Sequence, residues 1–138
     1  MAKCLWVAGS IIFIFLGALH LYYTFFSSKF NARNKSLVED MKSTSPVLTG
    51  QTTMWKAWIG FNASHSAGAI FFGMVNMILA TGYFEILGQS IPLILLDIIT
   101  VIFYCWLAKK YWFSIPFIGL LIVTGCFVAA STLLIFSN

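Results

Sequence analysis

Four long runs of apolar residues, broken by short polar stretches, set the plan of this chain: residues 5–26, 57–82, 91–108 and 116–136. About 20 apolar residues carry an α-helix across a bilayer, and each run is close to that length. The third is short and the second long, so the second is expected to tilt or to extend past the lipid. The runs are continuous and lack the two-residue alternation of a barrel strand, which excludes a transmembrane β-barrel. The fold expected is an all-α membrane protein, a single transmembrane domain over residues 1–138 built as a four-helix bundle. Ser90-Ile91-Pro92 and Ser114-Ile115-Pro116 open the third and fourth runs alike. A serine there can cap free amides, and a proline suits a first turn whose N–H has no helical partner.

Composition agrees. The 138 residues are 60% hydrophobic and 9% charged, with a mean hydropathy of +0.92. Soluble domains carry roughly 25% charged residues. Eight basic and four acidic side chains cannot coat a soluble domain of this length. The first run outlasts the 7–15 apolar residues of a signal peptide and meets no small-x-small cleavage site, so it reads as a helix of the mature protein. Cys4, Cys105 and Cys126 have no paired spacing and read as small buried hydrophobes, not as a disulfide or zinc framework.

The basic residues give an orientation rather than a nucleic-acid surface. Lys29, Arg33, Lys35, Lys42 and Lys56 lie in or beside the first loop, Lys109 and Lys110 in the third, and Lys3 alone on the other side. By the positive-inside bias both loops are cytoplasmic and both termini are outside. Trp55, Trp58, Trp106, Tyr111 and Trp112 would then form an aromatic belt at the cytoplasmic interface. The loop of residues 27–53 is too small for a domain of its own. Ser36-Leu37-Val38-Glu39 has capping-box spacing and predicts a short amphipathic helix, ended by Pro46, lying on the membrane with Lys35 and Lys42 toward headgroups.

Polar residues inside spans are costly and tend to face a bundle interior. In the second run Asn62, His65, Ser66, Gly73 and Asn76 fall within an arc of roughly 100° at 3.6 residues per turn. Gly60, Ser64 and Gly68 lie opposite, at the small-xxx-small spacing that lets helices approach closely. Ser10, Gly17, His20 and Thr24 share a stripe in the first run, and Ser90, Asp97, Thr100 and Tyr104 in the third. At 1.5 Å per residue from the cytoplasmic ends, Asn62 lies about 8 Å deep, His20 about 9, His65 and Thr100 about 12, and Asp97 about 16. His20, Asn62, His65, Asp97 and Thr100 are therefore the candidate ligand or relay residues. The aspartate is expected to pair with His20 or His65, or to donate as a neutral acid to Thr100.

Three readings stand beside one another. The polar residues act as interhelical glue in an accessory or interaction subunit, whose Gly60/Ser64/Gly68 face packs on its own helices, a membrane partner or a second copy. Alternatively, His20 and His65 are axial ligands of a b-type haem or hold another metal in a redox protein. In the third, Asp97 and the histidines form a proton relay in a small polar cavity that binds or transports a small molecule. No catalytic constellation is legible: Ser64 and Ser66 flank His65, but adjacent helical residues point apart. The four-helix membrane enzymes of eicosanoid and glutathione metabolism have an Arg/Asn/Glu signature that these spans lack.

Met54-Trp55-Lys56-Ala57-Trp58-Ile59-Gly60-Phe61-Asn62-Ala63-Ser64-His65-Ser66, with Gly17-Ala18-Leu19-His20 and the Thr49–Thr53 lead-in, resembles a family of small uncharacterised bacterial integral membrane proteins. The resemblance covers the first half of the chain and implies a bacterial inner-membrane setting. It implies no activity.

Overall fold

The computed structural model describes residues 1–136, and every regular element among them is helical. The elements run α1 (Ala2–Phe26), α2 (Lys35–Ser43), α3 (Met54–Gly82), α4 (Phe84–Gln89), α5 (Ile91–Tyr111) and α6 (Ser114–Phe136). Of these, α1, α3, α5 and α6 are long and apolar enough to cross a membrane. Each sequence-predicted span is present, lengthened by two or three residues at one end. Large apolar side chains, among them Phe15, Phe71, Leu96, Ile99 and Ile122, are exposed along all four. Such a surface suits lipid and would aggregate in water.

Residues 1–16 and 69–136 form one compact unit and Gly17–Gly68 a second. In the first unit the buried positions follow a seven-residue repeat, the seam that left-handed helix packing demands. They are Trp6, Gly9, Ser10 and Phe13 of α1, Ala69, Gly73, Asn76 and Ala80 of α3, Ile94, Asp97, Val101 and Ala108 of α5, and Leu120, Val123, Phe127, Ala130 and Leu134 of α6, with Ser131 beside Ala130. Their apolar members form one core, joined by Leu87 of α4. Trp6 packs on Phe127 with ring centroids 4.8 Å apart, and Phe13 lies between Phe72 and Tyr104 at 5.0 and 5.1 Å. In the second unit α1 ends at Phe26, α2 follows after eight residues, and α3 begins where the Met54 amide donates to the Thr44 carbonyl at 2.8 Å.

A hydroxyl or amide within a span has no water to turn to, and here most bond backward along their own helix. Ser10, Thr24, Ser66, Thr100, Thr124 and Thr132 each donate to the carbonyl four residues earlier, at 2.7–2.8 Å. This makes a polar side chain tolerable in lipid, and of the six only Thr124 also reaches another helix, at 3.4 Å from the Val101 carbonyl.

Three local readings are corrected. The N-cap of α2 is Asn34 rather than Ser36: its Oδ1 accepts from the Ser36 amide at 3.1 Å and the Ser36 hydroxyl at 2.9 Å. Asparagine caps at least as well as serine, and here one oxygen holds both groups. Ser90 makes no side-chain cap bond to α5; its amide instead closes α4, a helix within the break between the second and third runs, on the Ile86 and Leu87 carbonyls. Ser114 lies inside α6 as its first residue. Pro92 does occupy the first turn of α5, and Lys109 and Lys110 fill its last turn, where cations favour the helix dipole.

Candidate functional site

Two groups of polar side chains are built inside the spans, one in each unit. In the second unit α1 presents His20 and α3 presents Asn62 and His65. His20 Nε2 lies 3.0 Å from Asn62 Oδ1, and the His20 and His65 rings stand edge to face, 5.5 Å between centroids at 70°. Phe30 covers His20 at 4.5 Å. Asn62 donates through Nδ2 to the Trp58 carbonyl at 2.8 Å. That bond fixes the amide orientation, since a flipped amide would set two acceptors together. Oδ1 can only accept, so Nε2 of His20 carries a proton and donates. The fold thus brings His20, Asn62 and His65 of the candidate residues together.

The first unit holds the second group, drawn from three helices. The Trp6 indole Nε1–H donates to Asn76 Oδ1 at 2.7 Å, and Asn76 Nδ2 donates to Asp97 Oδ1 at 3.0 Å and to the Phe72 carbonyl at 3.1 Å. All three side chains are buried. Asn76 therefore uses both amide hydrogens and its oxygen, and its orientation is fixed by the groups it meets. It ties α1, α3 and α5 by side-chain bonds that water does not compete for.

The expected partners of Asp97 are thereby corrected. Its hydrogen bond is to Asn76 rather than to His20, His65 or Thr100, and the Thr100 hydroxyl is committed to Leu96 of its own helix. An amide one helix away supplies the donor that a histidine or a hydroxyl was expected to exchange with the carboxyl. Trp6 and Asn76 were missing from the candidate residues. Asn76 already shared the polar arc of the second span, whereas Trp6 carried no signal beyond its place three or four residues before Gly9 and Ser10.

The two histidines do not make a haem site. Axial ligands approach opposite faces of one flat macrocycle through ring nitrogens with free lone pairs. Here the rings touch edge to face and leave no slot between them, and Nε2 of His20 is occupied as a donor. For a smaller ion, no group of three or more His, Cys, Asp or Glu ligands exists among the described residues.

Gly60, Ser64 and Gly68 are all exposed. A Cβ built on Gly60 would meet nothing within 4 Å, so the expectation that this face packs on the chain's own helices is not met there. Ser64 turns its hydroxyl back to the Phe61 carbonyl at 3.0 Å, which leaves the strip flat and without an outward donor.

These features define a multi-pass membrane protein with four candidate spans. No family model, curated protein or solved structure has a significant match to the chain.

Proposed function

We propose that this protein works as an interaction subunit in a membrane, by close helix packing on the Gly60/Ser64/Gly68 strip of α3. The supporting observation is that small residues recur there at four-residue spacing, on a face that is open in the chain. Association in lipid draws on close backbone approach rather than on the hydrophobic effect, and glycine and serine at this spacing permit it. The polar group of the same unit fits this reading: His20 of α1 bonds to Asn62 of α3 and holds the two helices together beside the strip. The occupant is a membrane helix, from a second copy or another protein, in a cell membrane that the family resemblance suggests is bacterial.

The test is purification in mild detergent. The wild type should carry a stoichiometric membrane partner or a second copy, and Gly60→Leu or Gly68→Leu should lose it. Gly125→Leu is the control, since that glycine of α6 is also exposed with nothing within 4 Å. Association that survives both α3 variants rejects the proposal, as does equal loss in the control.

A further inference from the structure

Between the end of α1 and the first two turns of α2 the second unit has an open, solvent-facing cavity of about 470 Å³, lined by side chains that are mostly exposed. That volume falls in the range of sites that bind small ligands, roughly 300–1,000 Å³. Lys29, Arg33, Lys35 and Lys42 line it, against the single carboxylate of Glu39. Glu39 is spent on Lys42, at 2.9 Å. Lys29 is anchored on Tyr23, its ammonium 3.1 Å from the hydroxyl and 4.2 Å from the ring centroid, contacts that supply no negative charge. Arg33 and Lys35 have no side-chain partner among the described residues. Lys35 also opens α2, whose first turn holds no acidic residue. A cation there adds to the positive end of the helix dipole, so four cations gather at one spot against a single carboxylate. Val38, buried beneath, gives the cavity an apolar wall, while Ser28 and Asn31 add polar groups.

The position adds the remaining argument. The first cavity residue, Ser28, follows the last residue of the span, Phe26, by two positions. A site at that level meets lipid phosphates before it meets solutes. We propose that the cavity is a binding site for the phosphate of an anionic phospholipid, gripped by Arg33 and Lys35 and flanked by Lys29. Arginine offers the planar fork that fits two phosphate oxygens, and lysine a point charge. This proposal stands apart from the strip on α3 and survives if that strip proves vacant.

Native mass spectrometry of the full chain, released from nanodiscs of phosphatidylglycerol and phosphatidylcholine, tests it. The wild type should retain phosphatidylglycerol in preference to phosphatidylcholine. R33Q with K35Q should cut that preference by about an order of magnitude or more, on the scale set for cations beside an anionic surface. K109Q with K110Q removes the same charge elsewhere and should change it little. Inorganic phosphate at millimolar concentration is the second arm. Equal retention of the two lipids, equal loss in both double variants, or full displacement by inorganic phosphate would each overturn the proposal, the last by showing a free-phosphate site. Helicity measured by circular dichroism confirms that each variant is folded.

Discussion

Trp6 and Asn76 are 70 residues apart in sequence and joined by a 2.7 Å hydrogen bond between two buried side chains. The indole has one donor and no acceptor, so nothing else on its ring can serve Asn76. Trp6→Phe should keep much of the aromatic packing on Phe127 and strand the asparagine oxygen. An unsatisfied buried acceptor costs about 1–3 kcal/mol in water-soluble proteins, and interhelical bonds in lipid average about 0.6 with a maximum near 1.7. We expect destabilisation of about 1 kcal/mol for Trp6→Phe and more for Asn76→Leu, which breaks the bonds to Trp6, Asp97 and Phe72 together. Reversible unfolding in mixed micelles measures both. Equal stability of Asn76→Leu and wild type would remove the amide from any structural role.

Asp97 meets the same amide through one carboxyl oxygen. Asp97→Asn keeps a carbonyl acceptor in place and should change stability by less than about 0.5 kcal/mol, while Asp97→Leu removes the acceptor and should cost about 1. The same two variants speak to the relay reading. If the residue is needed only as an acceptor, Asn must substitute for it in every assay. A process lost in Asp97→Asn but retained in wild type would show that the acid itself is used.

How much of this was written in the sequence depends on which axis is asked about. Position along a helix was legible, because depth counts residues and rotation follows 3.6 per turn; hence the spans, the buried stripes through Ser10 and Thr24 of α1, and the meeting of His20 with Asn62 and His65. Pairing between helices was not. Asp97 had several donors at workable depths, and only the placement of the helices around one core selects Asn76. Local ambiguity explains the rest. Asn34 and Ser36 are both competent caps two residues apart, and α4 falls in the short break between the second and third runs, where six residues containing Glu85, Gly88 and Gln89 are too few to show a helical period.

The bond from His20 to Asn62 makes a spectroscopic prediction. With Asn62 oriented by the Trp58 carbonyl, the His20 imidazole must hold its proton on Nε2. Nitrogen-15 shifts of selectively labelled histidine in nanodiscs should show a protonated Nε2 at His20, and Asn62→Leu should shift that signal. An unprotonated Nε2 in the wild type would mean that the geometry has been read with the wrong donor.

Ser131 tests the cost of an idle hydroxyl. Its Oγ is buried and lacks a hydrogen-bond partner among the described residues, unlike the threonine beside it, which bonds to the Val128 carbonyl at 2.8 Å. Removing an unsatisfied group restores the desolvation it cost without leaving a sizeable cavity. Ser131→Ala should be neutral or stabilising by up to about 1 kcal/mol in the same micellar unfolding assay, whereas a loss of similar size would reveal a bond formed by a rotated hydroxyl.

Glycines with opposite surroundings give the sharpest contrast on one helix. At Gly73 an added Cβ would lie 2.6 Å from Ile14 Cγ1 and 3.1 Å from both the Ile14 amide nitrogen and the Ser10 carbonyl oxygen. The isoleucine side chain can rotate away, but two of the three obstacles are backbone, so relief requires α1 and α3 to separate along a seam that also carries the Trp6–Asn76 bond. Overpacking of this kind costs about 1–3 kcal/mol, and Gly73→Ala should fall in that range. Gly60→Ala, on the open strip of the same helix, adds a methyl to empty space and should stabilise the isolated chain by up to about 1 kcal/mol, the helical advantage of alanine over glycine. Any association that depends on the strip should weaken in the same variant, because the methyl enters the space a neighbouring helix needs. Stability rising while association falls is a pairing that a merely structural glycine does not produce. Loss of stability in Gly60→Ala would instead mean that this face is packed within the chain.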